Sequence, residues 1–204
     1  IKIDKPRLSI SHEAIYQYIY YEKPGLIGCL VRRHKKRQKR GYSRKHKKAH
    51  IPNKISILRR PAVVAKRRRL GDWEADSIVS RKSLEAINIL VERTSRMARL
   101  TKIEQKTSEA TTSAIKDALR IYPKLARKTI TYDNGSENTG HERVNRELGM
   151  ASYFCNPYHS WERGTVENTV GLVRRWLPKG TDFRKIKDDD IKVIERWINN
   201  RPKK

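Results

Sequence analysis

From residue 71 onward, short apolar blocks alternate with polar turns in a pattern that predicts a packed α/β domain. Five blocks have the length and composition of strands, at 73–79, 84–91, 98–103, 129–132 and 151–155. Apolar residues at helical spacing predict helices capped by Thr107, at 140–148, capped by Thr165, and at 191–198. This order predicts a mixed central sheet with helices on its faces, and its first three strands are expected to be antiparallel.

A short amphipathic helix is predicted near the start of the chain, over residues 12–20. Ser11 is a suitable N-cap, and Ile15, Tyr18 and Ile19 follow at helical spacing. Two interpretations stay open. Residues 1–31 contain the tail of a helix-turn-helix DNA-binding motif, or they contain a helix that only packs against the protein.

Between this helix and the α/β domain, lysine and arginine dominate residues 32–70, and the runs 32–40 and 44–48 leave almost nothing apolar to bury. This composition predicts a disordered or extended arm that follows the phosphates of a nucleic acid, and a solvated linker is the alternative. The arm cations predicted to contact DNA are Arg32, Arg33, Lys35, Lys36, Arg37, Lys39 and Arg40. The α/β domain then occupies residues 71–204.

The overall charge indicates what the protein binds. Lysine and arginine number 48 against 22 acidic residues, so the formal net charge is +26. Such an excess favours a polyanionic partner, with nucleic acid as the first candidate and an anionic membrane surface as the second. No apolar run approaches the roughly 20 residues that a membrane span needs, and no signal-peptide pattern is present. We therefore expect a cytoplasmic, nucleoid-associated protein, although charge alone does not separate an enzyme from a binding protein.

Three carboxylates stand where ligand sites form in open α/β sheets. Asp76 lies in the first predicted strand, Asp133 at the end of the fourth, and Glu167 in the first turn of a helix. Carboxylates that meet at such a place raise each other's pKa unless a cation joins them. Because these ligands are hard oxygens and the two cysteines lie far apart, the expected ion is Mg²⁺ or Mn²⁺ and not Zn²⁺.

Such a site suits the cleavage of a phosphodiester. Two ions about 3.5–4 Å apart activate the attacking water and stabilise the leaving oxygen, so we expect two ions here. A DNA 3′-hydroxyl can replace the water, and the same site then joins strands.

Each carboxylate also has a purely structural interpretation. Asp133 precedes an Asn-Gly pair and is an ordinary turn residue, and Glu167 at a helix start is favourable through the helix dipole. Asp72 and Glu74 compete with Asp76, because all three point to the same face of one strand. Spacing alone leaves this choice open.

Six sequence motifs run through nearly the whole chain. They are ISHEAIYQYIY, IPNKISI, GDWEADSIV, LVERTSR, TYDNGSE and YHSWERGTVENTVGLVRRWLPKGTDF. Together they resemble the insertion-sequence transposases of the IS-thirty family, whereas any one motif alone is a weak signal. The resemblance implies an integrase-like catalytic core with the ribonuclease-H-like fold, preceded by a small helical segment and a basic arm.

The resemblance also implies an Asp-Asp-Glu metal triad. In the family the first aspartate belongs to a W-E-x-D motif, the second opens D-N-G, and the glutamate lies in G-T-x-E-N. These positions are Asp76, Asp133 and Glu167, so the resemblance resolves the choice that spacing left open. The residues near the triad that suit DNA contacts, with a solvated surface as the alternative, are Trp161, Arg163, Arg174, Arg175 and Lys179.

The function implied by the resemblance is metal-dependent cleavage and strand transfer of double-stranded DNA, at transposon ends and target, by a homo-oligomer assembled on DNA. A complete family member carries a further N-terminal helix-turn-helix and more residues after position 202, so the core is expected to be truncated at its C-terminal end. One alternative is a truncated or inactive remnant that only binds DNA. Another is a ribonuclease or structure-specific nuclease of the same fold.

Overall fold

The structure, a computed structural model, describes residues 10–30, 50–157 and 159–202. It divides into two compact units, which comprise residues 1–48 and 49–204. None of the helices in the described ranges is long and apolar enough to cross a membrane.

The first unit contains the predicted short helix, α1 (His12–Gln17). The hydroxyl of Ser11 accepts a hydrogen bond from the amide of Ala14 at 3.1 Å, so Ser11 is the N-cap. A π-helical turn (Tyr18–Glu22) and a 3₁₀ helix (Pro24–Cys29) follow, and none of the three elements contains a buried residue.

The second unit is built around a five-stranded mixed sheet. Its strands are β1 (Asp72–Val79), β2 (Ala86–Glu92), β3 (Ala98–Ile103), β4 (Thr129–Tyr132) and β5 (Ala151–Phe154). Its helices are α2 (Ala62–Ala65), α3 (Ser108–Leu119), α4 (His141–Leu148), α5 (Gly164–Trp176) and α6 (Asp188–Asn200). The strand order is β3-β2-β1-β4-β5, with β1–β2 and β2–β3 antiparallel and β1–β4 and β4–β5 parallel. The prediction of three consecutive antiparallel strands is therefore confirmed.

The sheet separates two hydrophobic cores. On one face, residues such as Ile87 and Ile89 of β2 pack with Val166 and Val173 of α5 and with Ile194 of α6. On the other face, the core is formed by Trp73, Ala75, Leu90, Ile115, Leu119, Ile130, Val144 and Leu148, from β1, β2, β4, α3 and α4. Successive residues of a strand point to opposite faces, so the acidic residues that alternate with Trp73 and Ala75 in β1 face α5.

The boundary between the two units differs from the predicted end of the basic arm at residue 70. In the described part of that segment Ile57 and Val64 are buried. The amide of Phe154 donates to the carbonyl of Ile55 at 2.9 Å, and Ser56 forms a parallel bridge with Phe154, so the segment lines the edge of the sheet beside β5. Lysine and arginine dominate residues 32–70 as a whole, and that average conceals the apolar residues that anchor the segment after residue 50.

Of the two predicted threonine N-caps, the one at α3 is confirmed and the one at α5 is wrong. The hydroxyl of Thr107 accepts a hydrogen bond from the amide of Ala110 at 3.2 Å, as expected of the N-cap of α3. The prediction that Thr165 caps α5 was wrong, because the helix begins at Gly164 and Arg163 occupies the N-cap position. The hydroxyl of Thr165 instead accepts a hydrogen bond from Arg67 at 3.1 Å.

The packing of the segment before β1 can be tested at two adjacent residues. Ile57 is 9% exposed and Leu58 is 81% exposed. We expect Ile57→Ala to lower the free energy of unfolding by about 2 kcal/mol, because it leaves a cavity. Leu58→Ala should change it by no more than about 0.5 kcal/mol. Equal effects of the two substitutions in urea unfolding would show that the segment does not pack on the core.

Candidate active site

The three acidic residues of β1 have different environments. The carboxylate of Asp72 accepts hydrogen bonds from Arg69 at 2.8 Å and from the hydroxyl of Thr129 at 2.7 Å. Asp72 and Glu74 are 2% and 0% exposed, whereas the side chain of Asp76 is 26% exposed. Of the three, Asp76 is therefore the one that substrate or solvent can reach.

Asp76 lies beside Asp133 because of the register of two parallel strands. β1 and β4 pair Glu74 with Thr131, and two further residues along each strand lead to Asp76 and Asp133. Since the strands are parallel, the two side chains meet at the same edge of the sheet. The sequence placed both residues at strand positions, and the pairing of β1 with β4 brings them together.

A single guanidinium spans the two aspartates. In Arg163, Nη1 lies 3.4 Å from Oδ2 of Asp76, and Nη2 lies 3.9 Å from Oδ2 of Asp133. The same Nη1 donates to the carbonyl of Ala75 at 2.7 Å, and the side chain is only 12% exposed. The space between the carboxylates therefore accepts a cationic group, and hard oxygen donors of this kind suit Mg²⁺ or Mn²⁺.

Hydrogen bonds orient both carboxylates. Oδ1 of Asp76 accepts the amide of Ser77 at 2.7 Å. Oδ1 of Asp133 accepts the amide of Gly135 at 3.0 Å and the side-chain amide of Asn138 at 2.7 Å. In both residues Oδ2 is the atom that faces Arg163, so these two oxygens converge on one guanidinium.

The pKa of Asp76 is raised above its ordinary value of 3.8. Burial is the largest cause, and the neighbouring charge of Asp133 acts in the same direction. Arg163 and the amide of Ser77 oppose the shift by stabilising the ionised form. A cation at this position therefore relieves the cost of holding two carboxylates together.

Glu167 is not gathered with the two aspartates. It lies in the first turn of α5 with an exposed side chain. Within residues 10–30, 50–157 and 159–202, no three His, Cys, Asp or Glu side chains are grouped so that they could hold a metal ion. The structure thus brings together Asp76 and Asp133, and these two fit a shared divalent cation without the third predicted ligand.

Two lysines at this edge of the sheet were not singled out by the sequence. Nζ of Lys54 donates to the side chain of Asn134 at 2.7 Å, next to Asp133 in the chain. Lys106 pairs with Glu137 at 2.6 Å and lowers the pKa of Asp76 through its charge. Lys54 belongs to the IPNKISI motif, so that motif carried the signal, but its contact with β4 depends on the tertiary structure.

The residues predicted to contact DNA occupy several environments. Trp161 is 68% exposed and stacks on His159, with ring centroids 4.4 Å apart. Arg175 and Lys179 are exposed, whereas Arg174 is half-buried, and its pKa is lowered by burial and by the charge of Arg81. Arg163 is turned inward to the aspartates. The arm cations Arg32, Arg33, Lys35, Lys36, Arg37, Lys39 and Arg40 lie outside the described residues.

The fold is shared with retroviral integrases. The catalytic core domain of BIV integrase superposes with a TM-score of 0.51 and 19% identity, over 65% of this chain and 86% of that one. A chain of the simian T-cell lymphotropic virus intasome, solved with the PP2A regulatory subunit B56 gamma, gives a TM-score of 0.53 and 23% identity, over 65% and 49% of the two chains. The predicted ribonuclease-H-like fold of an integrase catalytic core is therefore confirmed.

Comparison of the sequence with curated proteins shows similarity to insertion-sequence transposases. The chain is 38% identical to the IS1086 transposase of Cupriavidus metallidurans, over 98% of this chain and 60% of that protein. It is also 38% identical to the IS4351 transposase of Bacteroides fragilis, over 96% and 60% of the two proteins. The InsI transposase of IS30A from Escherichia coli strain K12 is 34% identical over 98% of this chain and 55% of its own length.

The chain is thus a relative of the IS-thirty type of insertion-sequence transposases, as its motifs predicted. It spans 55–60% of the length of these curated relatives. No protein-family model matches the chain.

The raised pKa of Asp76 leads to a prediction about stability. A buried carboxyl whose pKa in the folded state exceeds 3.8 is easier to protonate in the folded than in the unfolded chain. Its contribution to the free energy of unfolding is therefore complete below pH 3.8 and is lost as the pH rises through the folded-state pKa. Asp76→Asn should therefore have a higher melting temperature than the wild type at pH 7 without divalent ions, and the difference should shrink towards pH 3.8.

Asp117→Asn, on the exposed face of α3, is the matched control and should change the melting temperature little at either pH. A lower melting temperature for Asp76→Asn at pH 7 would contradict the proposed cost of ionising Asp76. Differential scanning calorimetry measures both variants.

Proposed function

We propose that the chain carries the catalytic core of a transposase that cleaves DNA strands at the ends of an insertion sequence and transfers them to target DNA. The observation that carries the proposal is the convergence of Asp76 and Asp133 at one edge of an integrase-type sheet. Among the acids of β1, Asp72 and Glu74 are buried against structural partners, which supports Asp76 as the catalytic residue.

The proposed metal ligands are Asp76, Asp133 and Glu167, and the proposed ions are two Mg²⁺ or Mn²⁺. When bound, such ions supply Lewis-acid activation of the scissile phosphate and of the attacking oxygen. Asp76 and Asp133 provide negative charge at the sheet edge, with Oδ2 of each residue directed to the same point. Glu167 would complete the set from the start of α5, which begins one residue after Arg163.

DNA is the proposed partner, both as transposon ends and as target, bound by a homo-oligomer of the chain in the bacterial cytoplasm. Its phosphates would meet Arg163 near the aspartates and exposed cations such as Arg175 and Lys179. The exposed ring of Trp161 suits stacking with a nucleobase. The arm cations are proposed to contact phosphates of the same DNA.

The proposal predicts metal-dependent cleavage that requires Asp133. In the presence of Mn²⁺, we expect the protein to nick or join labelled linear DNA that carries transposon ends. Asp133→Asn should abolish this activity, because it removes an anionic ligand, while DNA binding measured by gel shift persists.

Asp117→Asn makes the same chemical change at an exposed position of α3 and should retain full activity. Equal activity of Asp133→Asn and the wild type would refute the site. DNA binding without cleavage in the wild type would identify a binding-only module.

A second prediction concerns the basic arm. Neutralising Lys35, Lys36 and Arg37 should reduce the slope of log affinity against log salt by about one unit for each lost phosphate contact. The matched control neutralises Lys185, Lys192 and Arg196, which are exposed cations in and before α6. A slope that changes equally in both triple variants would mean that the arm makes no specific contribution to DNA binding.

A further inference from the structure

We propose that Glu74 is a positioning residue that fixes the start of α5 against β1, and with it the location of Glu167 relative to Asp76. The inference rests on the proposed function, because Glu167 and Asp76 matter as partners only in that reaction. Glu74 itself is 0% exposed and cannot touch DNA.

Both carboxylate oxygens of Glu74 are engaged by different parts of the fold. Oε1 pairs with Nη1 of Arg93 at 2.5 Å, and Oε2 accepts the backbone amide of Val166 at 2.8 Å. Arg93 lies just after β2, and Val166 is the third residue of α5, immediately before Glu167. One buried side chain in β1 therefore connects the sheet to the helix turn that bears the third proposed ligand.

The amide of Val166 is one of the groups at a helix start that have no partner within the helix. At α5 the N-cap residue, Arg163, makes no side-chain capping bond, since its guanidinium points to the aspartates. Glu74 replaces the missing cap from the neighbouring strand. Its negative charge also suits the positive end of the helix dipole.

The connection is short. Glu74 precedes Asp76 by two residues and points to the same face of β1, and Val166 precedes Glu167 by one. The hydrogen bond between Glu74 and Val166 therefore sets the offset of Glu167 from Asp76. Misplacement of a catalytic group by about 1 Å can cost on the order of 100-fold in rate.

An uncharged amide cannot make the same pair of contacts. In Glu74→Gln an NH₂ group must face either the guanidinium of Arg93 or the amide of Val166, and both of these are donors. Glu74→Asp keeps the charge but is one methylene shorter, so it cannot reach both partners. Both variants should release the first turn of α5.

Asp72 supplies a matched control on the same strand. It faces the same way as Glu74, is 2% exposed and also pairs with an arginine, Arg69. Its other side-chain partner is the hydroxyl of Thr129 in β4. If the buried acids of β1 had only a structural role, Asp72→Asn and Glu74→Gln should affect the start of α5 and the cleavage rate alike. If Glu74 positions α5, only Glu74→Gln should affect them.

The first test is hydrogen exchange of backbone amides in the full chain without metal or DNA. In Glu74→Gln and Glu74→Asp, amides of residues 166–168 should exchange at least about tenfold faster than in the wild type, with α3 unchanged, because a loss of about 1.4 kcal/mol is a tenfold change. Asp72→Asn should leave the amides of residues 166–168 protected. Unchanged protection in both Glu74 variants, or equal loss in Asp72→Asn, would overturn the inference.

The second test uses Mn²⁺-dependent DNA cleavage by the folded variants. We expect kcat of Glu74→Gln to fall on the order of 100-fold with KM for DNA unchanged, and kcat of Asp72→Asn to stay near that of the wild type. A wild-type kcat in Glu74→Gln would overturn the positioning role. Absence of cleavage by the wild type would refute the proposed function alone, since the exchange experiment would still report on the link between Glu74 and α5.

Discussion

The central strand β1 carries three acidic side chains on one face, and burying them requires a cation for each. Asp72 is paired with Arg69, Glu74 with Arg93, and Asp76 with Arg163. A buried carboxylate without a partner loses several kcal/mol of hydration, so each arginine stabilises the sheet by compensating one carboxylate. The rest of the unit is arranged around these pairs, because the arginines come from the segment before β1, from the turn after β2 and from the start of α5.

The three pairs differ in the distance between the arginine nitrogen and the carboxylate oxygen. This difference distinguishes the two structural pairs from the pair at the proposed active site. The Asp72 and Glu74 pairs are short, at 2.8 and 2.5 Å, and both carboxylates are buried. Arg163 is 3.4 Å from Asp76 and is shared with Asp133 across a partly exposed edge. Of the three carboxylates, Asp76 is therefore the one at which a metal ion could share the charge compensation in the proposed reaction.

Much of the fold follows from the sequence because it depends on local patterns. A strand was predicted at 73–79, and period-two alternation over residues 72–76 predicted the shared face of its acids. The bounds of β3 and β4 agree with the prediction. The Thr107 cap was predictable from its neighbours alone. The choice of Asp76 over Asp72 and Glu74 came from a family motif, since residues of the same type at the same spacing are equivalent within a single strand.

What only the tertiary structure decided involves residues far apart in the chain. The adjacency of Asp76 and Asp133 depends on the parallel pairing of β1 with β4, which no local pattern contains. Likewise, the sequence predicted Arg163 as a DNA contact near the site, with a solvated surface as the alternative. In the fold its guanidinium lies against two carboxylates and compensates their charge. Composition predicted an arm over residues 32–70, whereas residues 50–70 pack on the sheet. They do so because a few buried apolar side chains outweigh many solvated lysines and arginines. The sequence by itself therefore determined the elements and the candidate acids, and long-range burial and charge pairing decided which of them meet.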